Sequence, residues 1–132
     1  MIALKNWVFP FAIAGLTLTS LGGVTAQPDP ATNSINKITF DLSAISPEGL
    51  IGPPNGLRSV SYEFCIPAQR KTVKQVQAID PTVQYSRSRG RIGCQPNQYL
   101  CIGHTHQANW KEVLFNLAQL EYVKKIDQFW GE

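Results

Sequence analysis

The sequence predicts a single α+β domain in which helices pack on an antiparallel sheet, and three features of the chain point to it. Its 132 residues suffice for one domain. Apolar and polar residues alternate over Arg58–Pro67, which is the period of a half-buried strand. Apolar residues recur at helical spacing over Trp110–Leu120, where Asn109 can cap the first turn. A chain that mixes these two periods, with Pro- and Gly-rich stretches between them, is typical of an α+β fold.

The first half of the domain is predicted as two strands joined by a loop. Ile38–Ala44 alternates apolar and polar residues and is predicted as a strand. Ile45–Gly56 is dense in proline and glycine and is predicted as a loop. The strand Arg58–Pro67 follows and ends at its proline, and its alternation turns Cys65 away from the apolar face.

The second half adds a short helix and two strands before the long helix. Lys71–Asp80 has apolar residues three apart, which predicts a short helix that must pack on the sheet. Thr82–Ser86 is predicted as a strand, and Gln98–Gln107 as another. In the latter strand, Leu100 is assigned to the buried face and Cys101 to the opposite face.

The final stretch, Glu121–Trp130, supports two predictions. Tyr122 and Val123 favour a strand, which gives the order strand, helix, strand, strand, helix, strand from Arg58 onward. This is the order of a ferredoxin-like antiparallel sheet with two helices on one face, and it is the fold that we expect. Because neither Gly nor Pro interrupts the stretch, the alternative is an antiparallel sheet with one long C-terminal helix.

The N-terminal residues 1–26 are typical of an export signal. Lys5 precedes the apolar stretch Trp7–Leu21, and small residues lead up to a predicted cleavage site after Ala26. A retained membrane anchor is the alternative, but the apolar stretch is shorter than a bilayer span and contains Pro10. We therefore expect a secreted or periplasmic protein with no membrane span after cleavage.

Cleavage leaves a mature chain with a mild positive charge. It removes one cation, Lys5, and no acid, so the formal charge falls from +3 to +2. This charge does not indicate a nucleic-acid partner, which an exported protein rarely meets. The expected organisation is a flexible leader over residues 27–37, followed by one folded domain over residues 38–132.

Three cysteines in an oxidising compartment predict one disulfide and one free thiol. The bond that we expect is Cys65–Cys101, because the predicted strands are antiparallel neighbours and both side chains point away from the apolar face. Cys94–Cys101, which closes a small loop, and Cys65–Cys94 are the alternatives. Three clustered sulfurs also permit thiol exchange, so a redox role is a further alternative.

The stretch 94–106 also holds both histidines and is a weak candidate for a metal site. Cys94, Cys101, His104 and His106 carry ligand atoms suited to zinc or copper. Their spacing matches no standard zinc motif, and an extended strand places Cys101 and His104 on opposite faces. His104 and His106 share a face and are the remaining candidate ligands, and no cofactor is expected.

Arg87, Arg89 and Arg91 alternate with small residues and are the candidate anion-binding residues. In an extended chain their guanidinium groups project from one side, where they can hold a phosphate, a carboxylate or an acidic glycan through bidentate hydrogen bonds. The alternative is a projecting hairpin whose arginines only improve solubility.

These features favour a small exported binding protein without catalytic activity, in the cell envelope or the extracellular space. Binding is expected through the open sheet face that carries Glu63, Cys65 and Cys101, or through the arginine hairpin. The expected partner is an anionic ligand or an envelope protein, and Trp130 near the C-terminus can mark a contact. The candidate nucleophile and base, Cys101 with His104 or His106, are predicted to face apart. The alternative function is a metal-binding or thiol/redox-active secreted protein that uses residues 94–106.

Overall fold

The computed structural model describes residues Pro30–Gly131, which form three α-helices and two antiparallel sheets. The predicted signal peptide, residues 1–26, and the start of the predicted leader lie outside the described residues. Within Pro30–Gly131, none of the helices combines the length and the apolar character that a bilayer span requires. The described part of the chain therefore has an α+β fold with antiparallel sheets, as predicted.

The larger sheet has four strands, and the smaller one is a two-stranded hairpin. The helices are α1 (Pro30–Ile35), α2 (Arg70–Ile79) and α3 (Trp110–Ala118). The strands are β1 (Leu50–Ile51), β2 (Arg58–Ser59), β3 (Ser61–Pro67), β4 (Gln84–Ser86), β5 (Gln98–His104) and β6 (Asp127–Phe129). β1 pairs with β2, and the larger sheet has the order β4-β5-β3-β6 with each neighbouring pair antiparallel.

Helices α2 and α3 bury their apolar residues against one face of the larger sheet, the helix face. Val76 of α2 and Leu114 and Leu117 of α3 are fully buried. They belong to the same cluster as three fully buried side chains of β3, which are Tyr62, Phe64 and Ile66. The alternation predicted for Arg58–Pro67 is therefore confirmed, and the intervening residues of β3 project from the opposite face, the second face.

The predicted orientation of β5 is wrong by one residue. Cys101 lies opposite Phe64 in the register, so both project from the helix face, whereas Leu100 lies opposite Cys65 on the second face. Cys101 and Leu100 are both buried, because the connection between β4 and β5 covers part of the second face. The Gly90 backbone approaches so closely that an added Cβ would lie 2.8 Å from Leu100 Cδ1. A strand buried on both sides loses the alternation on which the prediction depended.

The predicted strand Ile38–Ala44 is wrong. Ile38 forms an isolated parallel bridge to Ile126, and Leu42–Ala44 forms a 3₁₀ turn. The Asp41 side chain accounts for this change, since it accepts a hydrogen bond of 2.9 Å from the backbone N–H two residues on. Such local bonds compete with strand pairing and favour a turn.

Two segments expected to lack regular structure contain short elements instead. Helix α1 lies in the predicted leader, and Lys37 Nζ donates a hydrogen bond of 3.2 Å to the Leu120 carbonyl. The predicted loop Ile45–Gly56 contains β1, and the Thr105 hydroxyl donates to the Gly49 carbonyl at 2.7 Å. These bonds connect the N-terminal segment to the sheet and to the turn after α3.

The C-terminal stretch contains strand β6, and the alternative of one long helix is wrong. Helix α3 ends at Ala118, and the chain reverses through bonds from the Leu120 N–H to the Leu117 carbonyl and from the Val123 N–H to the Leu120 carbonyl. Val123 and Ile126 are both fully buried. Their spacing of three residues also fits a helix, but here Val123 follows the turn and Ile126 forms the bridge to Ile38 just before β6.

Candidate functional site

The second face of the larger sheet carries an open hollow of about 610 Å³. Its walls come from four separate parts of the chain, which are the segment after α1, strand β3, the connection between β4 and β5, and the C-terminal stretch that contains β6. The lining includes Thr39, Asp41, Glu63, Arg91, Asp127 and Trp130. The register places Glu63 directly opposite Asp127, so strand pairing alone brings two carboxyl groups to one place.

Glu63 is the buried acid of this hollow. Its residue surface is 1% exposed, and its Oε1 has no hydrogen-bond partner. Burial raises the pKa of Glu63 and the charge of Asp127 raises it further, while Arg91 and a hydrogen bond from the Ile92 backbone act in the opposite direction. The arrangement therefore favours the protonated form of Glu63 compared with a solvated glutamate.

The two other carboxylates of the hollow have partners. Asp127 accepts a hydrogen bond of 2.8 Å from the Thr39 hydroxyl, and its second oxygen lies 3.5 Å from Lys125 Nζ. Asp41 accepts from the side chain and backbone of Ser43, and these bonds lower the pKa of Asp41. Asp41 therefore favours its ionised form, and the hydrogen bonds hold both side chains in place.

Trp130 forms an exposed aromatic edge of the hollow. The residue is 69% exposed, whereas a side chain as large and apolar as tryptophan is usually buried. The same residue borders a second hollow of about 400 Å³, whose lining includes Ile51, Arg58 and Phe129. A tryptophan left in solvent beside a concave, polar surface is typical of a contact site.

The three candidate anion-binding arginines do not form the expected row. The Arg87 guanidinium lies 5.2 Å from the centre of the Tyr99 ring and donates to the Pro96 carbonyl at 2.9 Å. Arg91 lines the hollow instead. The chain turns between them, since the Gly93 N–H donates to the Arg89 carbonyl at 3.1 Å. The prediction of one extended series is therefore wrong, and Arg91 is the member that reaches the hollow.

The disulfide joins Cys65 to Cys94, with a Cα–Cα distance of 5.5 Å, and Cys101 is free. The expected Cys65–Cys101 bond is wrong because the two side chains project from opposite faces of the sheet. Cys94 lies in the connection that folds over the second face, where it reaches Cys65. A disulfide of this kind fits an extracellular or periplasmic protein.

The histidines do not join the cysteines in a ligand cluster. The ring centres of His104 and His106 lie 6.4 Å apart, and the His106 N–H donates to His104 Nδ1 at 3.2 Å. Across Pro30–Gly131, no group of three His, Cys, Asp or Glu side chains is arranged to hold a metal ion. Burial, followed by the charge of Asp80, raises the pKa of Cys101 to about 12, so this thiol is a poor nucleophile.

The sequence indicated two residues of this hollow, Glu63 and Trp130, but not the residues that surround them. A charged residue inside an apolar strand marked Glu63 and the sheet face that carries it. Asp127 and Asp41 gave no signal, because their positions depend on the register of β6 and on the turn that replaced the predicted first strand. Trp130 was visible as a terminal aromatic residue, without any indication of what lies beside it.

No protein-family model, curated protein or solved structure matches this chain. The interpretation of the hollow therefore depends on its own residues.

Proposed function

We propose that the protein is an exported binding protein without catalytic activity, which acts in the cell envelope or the extracellular space through the hollow on its second face. The observation that carries this proposal is the exposed Trp130 at the edge of a polar hollow whose lining includes Asp41, Glu63 and Arg91. An exposed indole and convergent polar groups in a concave surface are the usual components of a binding site.

Export is supported by the composition of residues 1–26 and by the Cys65–Cys94 bond. Intact-mass analysis of the protein recovered from cells that produce it tests this part. We expect the mass of a chain that starts at Gln27 and contains one disulfide. A mass that retains residues 1–26, with all three thiols reduced, would contradict export.

We infer a ferredoxin-like arrangement for the four-stranded sheet with α2 and α3. The chain order from Ser61 is strand, helix, strand, strand, helix, strand, and the first strand, β3, lies between β5 and β6. Both helices contribute to the core on one face, which supports the same inference. The N-terminal segment and the β1–β2 hairpin are additions to that unit.

The absence of catalysis is inferred from how the candidate reactive groups are placed. Cys101 is buried on the helix face, whereas His104 lies opposite Ser61 on the second face, so the predicted nucleophile and base are separated. Asp127 is engaged with Thr39 and Lys125. Of the three arginines expected to bind an anionic partner, Arg91 alone lines the hollow. The proposal therefore does not depend on a charged ligand.

A comparison of two variants tests the binding role. Wild-type protein, Trp130→Ala and Leu57→Ala are immobilised and exposed to material released from the envelope of the producing cells. Leu57 is also exposed, at 50%, but does not line the hollow, so it is a matched control. We expect the wild type and Leu57→Ala to retain the same material and Trp130→Ala to lose it. Equal retention by all three proteins would overturn the proposal.

A further inference from the structure

We propose that the hollow binds a neutral oligosaccharide, with one sugar ring lying on Trp130 and its hydroxyl groups hydrogen-bonded to Asp41 and Arg91. This inference rests on the proposed binding function and names its ligand class. A sugar ring has an apolar face of C–H groups and a rim of hydroxyls that both donate and accept. A suitable site therefore combines an aromatic surface with fixed carboxylate, guanidinium or amide groups.

The hollow holds groups of both charge signs, which favours a neutral ligand over an ion. Arg91 lines the hollow together with Asp41 and Asp127, and Lys125, which lies outside the lining, is 3.5 Å from Asp127. Glu63 is the remaining acid, and the surroundings raise its pKa, which brings the lining nearer to neutrality. A site lined by one sign of charge alone attracts ions, whereas here the Arg91 guanidinium lies among the carboxyl groups.

The polar groups of the hollow are held in place before any ligand binds. Asp41 is fixed by its hydrogen bonds to Ser43, at 2.9 and 2.6 Å. The chain carrying Arg91 is restrained by the Cys65–Cys94 bond three residues further on. Preorganised groups lose less entropy on binding, which matters for a ligand recognised only by hydrogen bonds and stacking.

Trp130 supplies the apolar surface that a sugar ring requires. Its 69% exposure leaves the indole available to a ligand, and it is adjacent to both the hollow of about 610 Å³ and the neighbouring one of about 400 Å³. A chain of sugar units can therefore extend from one hollow to the other across the indole. The predicted export places the protein where polysaccharides of the envelope are accessible.

The unpaired Glu63 oxygen, which lies beneath Gly90 at the base of the hollow, is a second observation that favours a polar ligand, provided that the side chain turns toward it. Oε1 is buried without a hydrogen-bond partner, and buried polar atoms are normally paired. In its protonated form Glu63 carries both a donor and an acceptor, which suits a hydroxyl group better than it suits a cation or an anion.

The experiment uses the material retained in the comparison of Trp130→Ala with Leu57→Ala, divided into three portions. One portion is treated with periodate, which cleaves vicinal diols of sugars, one with proteinase, and one is passed over anion- and cation-exchange columns. Rebinding to the wild-type protein is then measured. We expect periodate to abolish rebinding, proteinase to leave it unchanged, and the active material to pass through both columns.

A purified probe gives the affinity. Cellohexaose is titrated while acrylamide quenching of tryptophan fluorescence is followed, because Trp130 is exposed and Trp110 is 3% exposed. We expect protection of Trp130, and an affinity about tenfold lower in Arg91→Gln than in the control Arg89→Gln, whose residue does not line the hollow.

The two proposals fail in different ways. Material that depends on Trp130 but is destroyed by proteinase, or that binds an ion-exchange column, leaves the binding function in place and overturns the oligosaccharide. Retention of the same material by wild type and Trp130→Ala overturns the binding function itself. Rebinding after periodate treatment also contradicts the inference, whether or not cellohexaose binds.

Discussion

Glu63 of β3 lies directly opposite Asp127 of β6, so two carboxyl groups are cross-strand neighbours in the hollow. Like charges in this relationship destabilise a sheet when both are ionised. The fold reduces the cost at Asp127 with the Thr39 hydroxyl and with Lys125. Glu63 has less compensation, and burial together with Asp127 raises its pKa. The pair therefore makes stability depend on pH.

Glu63→Gln is expected to be more stable than the wild type at mildly alkaline pH, by a few degrees in Tm, and equally stable near pH 4. The pKa of Glu63 is higher in the folded chain than its ordinary value of 4.5. Its stabilising contribution is therefore complete below that ordinary value and is lost as pH rises through the folded pKa. Glutamine resembles the protonated acid and does not titrate. Thermal unfolding at a series of pH values measures the difference.

Glu48→Gln is the control for this prediction, because Glu48 is exposed and does not line the hollow. It removes the same charge without relieving a buried carboxylate. If wild type and Glu63→Gln showed the same pH dependence of Tm, ionisation of the Glu63 carboxyl group would not lower stability. The proposed destabilising effect of Glu63 opposite Asp127 would then be wrong.

Elements with one buried face, such as β3 and α3, could be predicted from the sequence. Strand β5, which is buried on both faces, and the segment Ile38–Ala44, which forms no regular strand, were misjudged. The alternation of β3 and the apolar side of α3 identified the helix face, because Phe64 and Leu114 are both fully buried in the core on that face. Cys101 was assigned to the wrong face because Leu100 is buried as well, beneath the Gly90 turn. That turn is a tertiary contact, and local periodicity carries no information about it.

Local hydrogen bonds explain the other misjudged segment and the position of Asp41 in the site. Ile38–Ala44 alternates like a strand, but the Asp41 side chain bonds to its own backbone neighbour and forms a turn. This places Asp41 at the hollow. Glu63 and Trp130 could be selected from the sequence, whereas their partners depend on strand register and on the path of the chain after β4.

Tyr62→Phe is expected to lower the free energy of unfolding by about 1.5–3 kcal/mol, the usual cost of losing a hydrogen bond to a charged group. The Tyr62 hydroxyl donates to the fully buried Asp80 carboxylate, which also accepts from Gln107 Nε2 at 3.1 Å. Burial and the charge of Asp80 raise the pKa of Tyr62, so the hydroxyl remains a donor. Urea denaturation measures the loss.

Tyr85→Phe makes the same chemical change and is expected to be neutral or slightly stabilising. The Tyr85 hydroxyl is buried without a hydrogen-bond partner, so its removal leaves no group unpaired. Both variants lose a buried hydroxyl group, and only the Tyr62 hydroxyl has hydrogen-bond partners. An equal loss of stability in both would show that the contacts with Asp80 do not contribute.

The Cys101 thiol is expected to resist alkylation in the native protein and to react quickly in concentrated urea. It is fully buried, and burial and the charge of Asp80 raise its pKa to about 12. At pH 8 the reactive thiolate is then about one part in ten thousand. Mass spectrometry after iodoacetamide treatment gives the extent of reaction, and Cys101→Ala is the blank. Rapid native labelling would restore the thiol-active interpretation.

Replacing both Cys65 and Cys94 by serine is expected to lower the free energy of unfolding by about 2–4 kcal/mol. The bond joins residues separated by 29 positions, and its loss gives the unfolded chain more freedom. It also holds the connection between β4 and β5 over the second face, so its loss should expose Glu63 to solvent and weaken the pH dependence expected for that residue. Denaturation of the double variant at two pH values tests both effects.

Cys101→Ala is the matched control, since it removes the free thiol and should leave the Cys65–Cys94 bond intact. Tryptic digestion places Cys94 and Cys101 in one peptide, residues 92–111, and Cys65 in another, residues 59–70. In Cys101→Ala the two peptides should remain linked until a reductant is added. If they separate without reduction, the bond involves Cys101, and the register that places Cys65 opposite Leu100 is incorrect.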